Sequence, residues 1–217
     1  ELHTSTWGGL LQARLTMDKH DIRVFTEVAA VSVFNAFLQN TAGSYYFDSI
    51  ADLQAGRANS FAYGNAIPSL SPNDAAANFH YQNYTFGIMD QWRVSDTFNV
   101  SFGARYDLFA QHDNPALSQA YVDRYKGGAY VNGKMEYVGP NSVNIGGLGL
   151  FQPRFGFDWK PMPRLSFRGG TGIFGGGTPD VYVSNSFSNT GVLTNSISIN
   201  RTATGYSGAT TNVATGN

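Results

Sequence analysis

The stretch Phe151 to Phe174, FQPRFGFDWKPMPRLSFRGGTGIF, constrains the fold more than any other part of the chain. Phe151, Pro153, Phe155, Phe157 and Trp159 take every odd position, with Gln152, Arg154, Gly156, Asp158 and Lys160 between them. A period of two puts the aromatics on one face of a strand and the polar groups on the other. Pro161-Met162-Pro163 then breaks the ladder, because proline donates no N–H and fixes its own φ. The return strand sets Leu165, Phe167, Thr171 and Ile173 against Ser166, Arg168, Gly170 and Gly172. This is a hairpin with one apolar face. A soluble β-sandwich alternates in the same way, so the open question is whether that face meets a protein core or lipid.

The same pattern recurs upstream. Trp7, Gly9, Leu11, Ala13, Leu15 and Met17 alternate with Gly8, Gln12, Arg14 and Thr16, and Asp18-Lys19 makes a short turn. Ile22, Val24, Thr26, Val28 and Ala30 return, opposite Asp21, Arg23, Glu27 and an ill-fitting Phe25. Tyr84, Phe86, Ile88, Trp92 and Val94 share a face that Asp90 interrupts, which predicts a bulge or an interfacial position there. After Ser95-Asp96-Thr97 comes the cleanest strand, with Phe98, Val100, Phe102, Ala104, Tyr106 and Leu108 against Asn99, Ser101, Gly103, Arg105 and Asp107. Strands are expected near 7–17, 21–34, 79–94, 98–110, 151–160 and 164–174, in up-and-down antiparallel order.

The connections differ in kind. Those at 18–19, 95–97 and 161–163 are short, whereas 35–78 and 111–150 are long. In the first long one, 43–48 reads as a short strand. Ser49-Ile-Ala-Asp52 reads as a capping box with Gly56 as the stop, so a helix is expected at about 49–55, and 65–78 reads as loop. In the second, Asn114-Pro115 reads as a helix start, with Leu117, Tyr121 and Tyr125 on one side and Gly127-Gly128 at the end. Helices are expected only in these two loops. The chain from Gly175 onward, including 209–217, reads as polar loop.

Three features favour lipid over a core. Short turns on one side and long loops on the other is the asymmetry of an outer-membrane barrel. The aromatics fall at two levels: Trp92 and Trp159 near the short turns, and Trp7, Tyr84 and Tyr106 about ten residues away, roughly 25 Å at strand rise and barrel tilt. The opposite face carries Arg14, Arg23, Glu27, Arg93, Arg105, Asp107, Arg154, Asp158 and Arg168, which a wet lumen tolerates. Composition agrees. Charged residues make up 13%, about half the globular norm. The net charge of −1 gives no basic footprint for nucleic acid. The chain has no cysteine, which removes disulfides and thiol chemistry. Its longest apolar run, Val28 to Leu38, is too short for a spanning helix of about 20 residues. The expected fold is therefore all-β, with antiparallel up-and-down strands of a partial transmembrane outer-membrane barrel and long extracellular loops bearing short helices. A soluble sandwich is the alternative.

Four segments in order, Asp90-Gln91-Trp92-Arg93-Val94, Gly103-Ala104-Arg105-Tyr106-Asp107, Gln152-Pro153-Arg154-Phe155-Gly156-Phe157-Asp158-Trp159 and Phe167-Arg168-Gly169-Gly170, resemble the barrel of TonB-dependent outer-membrane receptors. The Oar-like branch is the most similar, and Tyr182-Val183-Ser184-Asn185 and Phe187-Ser188-Asn189-Thr190-Gly191 are similar to the segment that follows this hairpin there. The resemblance covers most of 80–191 and, more loosely, 20–64. It implies a barrel of about 22 strands filled by an N-terminal plug, worked by an inner-membrane complex that pulls on a TonB box. Neither plug, TonB box nor aromatic C-terminus stands in this sequence. Residues 1–217 would then be a middle slice of the barrel, about six strands, from a Gram-negative outer membrane. The implied partners are outer-membrane lipid, the plug of the same polypeptide, the TonB complex and an unidentified extracellular ligand. The other function considered is a surface barrel whose long loops bind a partner protein or matrix.

The expected girdle residues on the lipid side are Trp7, Tyr84, Trp92, Tyr106 and Trp159. The expected lumen charges are Arg14, Arg93, Arg105, Asp107, Arg154, Asp158 and Arg168, read as salt-bridge ladders rather than an acid pair. His3, His20, His80 and His112 are scattered, and His112-Asp113-Asn114 reads as a helix cap, so no metal or cofactor site is expected. Gly175-Gly176-Gly177-Thr178-Pro179 lacks the lysine and helix of a phosphate loop and reads as a flexible strand exit. No catalytic order of residues is present, and no enzyme is expected.

Overall fold

The computed structural model describes residues 1–201 except 127, 132, 137–140 and 176–179. Its elements, in order, are strands β1 (Leu2–Met17), β2 (His20–Asn35) and β3 (Ser44–Tyr46), helix α1 (Ile50–Gln54), strand β4 (Ser60–Ala66), a 3-10 turn at Pro72–Ala75, strands β5 (Ala77–Ser95) and β6 (Phe98–Ala110), helix α2 (Gln119–Tyr125), strands β7 (Ala129–Val131), β8 (Lys134–Glu136), β9 (Gly149–Met162) and β10 (Leu165–Gly172), helix α3 (Asp180–Ser188) and strand β11 (Thr194–Asn200).

Six strands form the main sheet in the order β1-β2-β5-β6-β9-β10, each antiparallel to its neighbour. Strand order is chain order, so this is an up-and-down wall, and it does not close on itself. A transmembrane strand needs about 9–11 residues. β1 and β2 have 16 each, β5 has 19, β6 has 13 and β9 has 14, while β10 stops at eight.

Directly paired residues point to the same side of a sheet. The register joins Leu11 to Thr26, Thr26 to Phe86, Phe86 to Tyr106, and Tyr106 to Phe151. One register therefore gathers the apolar positions of neighbouring strands on one face and the charged positions on the other. A slip of one residue would invert a strand, which is why the pattern pins the pairing. Phe25 belongs to the charged face and still fits. Its ring lies over Gly87 on the neighbouring strand, where a Cβ would sit 2.2 Å from it.

Several sequence expectations need correction. Pro161-Met162-Pro163 does not break the ladder. β9 runs through Met162, which pairs with Leu165, and the turn is Pro163-Arg164, because Pro161 sits where the irregular register asks for no N–H. Asp90 causes no bulge. It pairs regularly with Ile22 and Phe102, and the irregularities lie between Arg93 and Ser95 and between Leu165 and Phe167. The second loop's helix does not start at Asn114-Pro115. It starts after Ser118, whose hydroxyl accepts from the Tyr121 N–H, while Asn114 accepts from the Asn144 amide. Helices are not confined to the two loops, since α3 lies at 180–188. The polar 194–200 run is a strand that pairs along its whole length with β4, so part of 65–78 is strand as well. The readings of 176–179 and 209–217 lie outside the described residues. The first helix is where expected: Ser49 caps it, accepting from the Asp52 N–H.

β3, β4 and β11 form a second sheet in the order β11-β4-β3, and β7 pairs with β8 as a small hairpin. Both arise from the long connections. They therefore sit at the end of the wall opposite the short turns.

Candidate functional site

The polar face of the wall carries the charged side chains and is the candidate site. At its centre is Asp107 on β6. Its Oδ1 accepts from the Thr85 hydroxyl at 2.7 Å and from Arg105 Nε at 2.8 Å, and its Oδ2 accepts from Gln152 Nε2 at 2.6 Å. Thr85 and Asp107 are direct cross-strand partners on β5 and β6, and Arg105 and Gln152 are partners on β6 and β9, so the register assembles the cluster. Gln152 is fully buried, and its carbonyl accepts from Arg154 Nη2 at 3.2 Å and from the Gly175 N–H at 2.9 Å. Such a network is rigid because each member holds the next, and a buried carboxylate is tolerated only when its oxygens are supplied with donors.

Two further pairs stand on the same face. Arg14 on β1 binds Asp21 on β2 through both carboxylate oxygens. Arg168 Nε donates to Asp158 Oδ2 at 2.5 Å between direct partners of β10 and β9, with Lys160 Nζ at 3.8 Å. Arg154 and Arg93 form no ion pair among the described residues. The Arg154 guanidinium lies over the Phe174 ring instead, 4.7 Å from its centre. The seven lumen-expected charges thus share one face; Arg14, Arg105, Asp107, Asp158 and Arg168 fall into three separate ion-paired groups, and Arg93 and Arg154 into none among the described residues. Thr85 and Gln152 were not singled out in the sequence. Their signal was parity alone, as polar residues at charged-face positions. A polar hollow of about 760 Å³ opens on this face near the short turns, with Arg14, Arg93, Ser101, Asp158 and Lys160 among its lining residues.

Trp7, Tyr84, Trp92, Tyr106 and Trp159 share the other face, all exposed or half-exposed, with Trp7 at 80%. Near the short turns that face carries a polar pair. His20 Nδ1 is 2.7 Å from Asp90 Oδ2, and the imidazole stacks on Trp92 with centroids 5.5 Å apart. The sequence left His20 as a scattered histidine and Asp90 as a defect. The cross-strand register is what pairs them. Of the other histidines, His80 binds Asp113 through both its backbone N–H and its ring, so Asp113 is not a helix cap. No cluster of three metal-ligating side chains occurs among the described residues.

Seven hydrophobic residues are buried among the described residues, while aromatics and aliphatics lie exposed along the whole apolar face. Among the described residues no second sheet covers that face, which argues against the sandwich alternative. No helix among the described residues is long and apolar enough to cross a membrane, which says nothing of crossing by strands. Comparison with curated proteins and with solved structures gives no match. A family model described as an outer membrane beta barrel domain matches residues 3–217. By that match and by the architecture of this wall, the chain belongs to the outer-membrane β-barrel family and resides in the bacterial outer membrane.

Proposed function

We propose that this chain is part of the barrel of a TonB-dependent receptor of the Oar-like kind, which takes up a scarce ligand through a plugged barrel. On this reading residues 1–217 are one stretch of a larger wall, and the plug and TonB-contacting segment belong to the same polypeptide. The apolar face with Trp7, Tyr84, Trp92, Tyr106 and Trp159 meets outer-membrane lipid, and Arg14, Arg93, Arg105, Asp107, Arg154, Asp158 and Arg168 face the lumen. The protein is a carrier rather than an enzyme and needs no cofactor.

The supporting observation is the polar face. A small barrel fills its interior with its own side chains, whereas this wall presents fixed ion pairs and a buried amide–carboxylate network. Such a surface suits a polar protein body held inside a wide barrel. The order and spacing of the segments around Trp92, Arg105, Arg154 and Arg168 support the same reading. The test uses the full-length protein in detergent, mixed with the periplasmic domain of TonB. Retention on that domain is expected, and loss of retention should follow deletion of the first residues of the mature protein. No retention, with no folded domain preceding the barrel, would overturn the proposal.

A second reading, a barrel whose loops bind a partner protein or matrix, draws on one observation. The β11-β4-β3 sheet is an ordered platform built from two loops, and Tyr45 and Tyr46 stand exposed on it.

A further inference from the structure

Val33 on β2 and Ala77 and Phe79 on β5 share the face of Arg93, Arg105 and Asp107. That face carries the charged clusters, yet these three residues are apolar and have no exposed surface. Strand neighbours alone do not cover them. Phe187 of α3 does, its ring stacked on Phe79 with centroids 4.8 Å apart. Val183 packs beside it, and the Tyr81 hydroxyl donates to Asp180 Oδ1 at 2.8 Å.

α3 follows β10 in the chain but touches β5 and β2. In the sheet these lie beyond β9 and β6, so α3 sits three to four strand spacings from β10, roughly 14–19 Å, on the polar side of the wall. Before it, the Gly175 N–H donates to Gln152 on β9. Past α3, β11 pairs with β4 at all seven of its residues, and Arg201 reaches Asp48 at 3.2 Å and Asp52 at 3.4 Å.

We propose that residues 180–201 are a strap folded into the extracellular mouth of the barrel, narrowing the entrance beside β5 and β2. α3 is the part that swings. Phe187 on Phe79, with Val183 and the buried Ser184, seats it against β5 and β2, and the Tyr81 hydroxyl ties its first residue, while the backbone ladder of β11 stays zipped to β4. Displacing Phe187 from Phe79 would uncover the apolar patch of Val33, Ala77 and Phe79. This rests on the barrel assignment and not on the transport reading, so it stands whether or not TonB binds.

The experiment uses the full-length protein in the outer membrane of intact cells, with folding followed by heat-modifiable gel mobility. Under mild oxidation the double variant Phe79→Cys/Phe187→Cys should cross-link, seen by mass spectrometry of the joined peptides. Phe79→Cys/Val181→Cys should not, because Val181 is exposed on α3. In a second measurement, Phe79→Cys alone should react slowly with a membrane-impermeant maleimide. It should react at least about tenfold faster when combined with Phe187→Asp, since a local contact gates access. Failure of the first pair to cross-link in folded protein, or equal maleimide rates in the two backgrounds, would overturn the proposal. If Phe187→Asp does not fold, Tyr81→Phe serves in its place, with acceleration again expected and an unchanged rate counting against the strap.

Discussion

Phe157 and Gly156 are neighbours in the chain and opposites in environment. Phe157 is on the apolar face, its ring over Gly169 on β10, where a Cβ would come within 2.7 Å of it. Gly156 is on the polar face, where a Cβ would meet the movable Ser101 hydroxyl. In the intact protein Phe157→Arg should lose about 2–4 kcal/mol, the cost of a cation in the hydrocarbon near the midplane. Gly156→Arg should lose less, and urea unfolding in lipid vesicles compares the two. Labelling decides which face meets lipid. Phe155→Cys and Phe157→Cys should react with a bilayer-confined reagent, and Arg154→Cys and Gly156→Cys with a water-phase one. Equal water-phase labelling at all four would defeat the assignment. Asp90 gives a second residue-scale test. Removing one member of this hydrogen-bonded pair leaves a carboxylate oxygen of the buried Asp90 without its partner, so His20→Leu should destabilise by about 1–2 kcal/mol. The double variant His20→Leu/Asp90→Leu should recover most of that loss, and a double variant as unstable as the single one would refute the pairing.

At the scale of elements, α1 is a five-residue helix that would not survive alone, since isolated helices shorter than about 12 residues are marginal in water. Its cap holds it in place. The Ser49 hydroxyl beside Asp52, with the Arg201 and Arg57 cations nearby, holds the Asp52 carboxyl below its ordinary value of 3.8. A folded pKa below the unfolded one means that this contribution to the latch is complete above the ordinary value. It is lost as pH falls through the lower, folded value. Carbon-detected titration of Asp52 should therefore show a midpoint below the usual carboxylate range in the folded protein, and Ser49→Ala should move that midpoint up. An unmoved midpoint would remove Ser49 from the account. Acid should also loosen the Arg201 contact, since protonation takes away its partner's charge.

For the whole molecule, the decisive property is a large apolar face without a protein partner, bounded by β1 and β10, which each have only one neighbour. Unpaired strand edges are templates for association, and the apolar face adds to the drive. Expressed alone in water without detergent, residues 1–217 should be insoluble or oligomeric by light scattering. A monodisperse monomer would contradict a membrane wall and call for a covering core.

Features with a short period were legible in the sequence alone. Alternation at every second residue fixed which side chains share a face, and short polar turns such as Asp18-Lys19 and Ser95-Asp96-Thr97, with the longer asparagine-, glycine- and proline-bearing loops, separated the six strands. Backbone geometry makes both readable without any partner. Even the boundaries were close, β6 matching its expected range at both ends. The tertiary structure decided what depends on residues far apart. Gln152 is unremarkable until the register sets it beside Asp107, His20 until it meets Asp90 70 residues away, and Phe187 until it covers Phe79. The polar segment from Asp180 to Asn200 has no strong period and reads as loop. Its helix and strand exist because β4 and the polar side of the wall supply the backbone partners and the apolar surface that the segment lacks on its own.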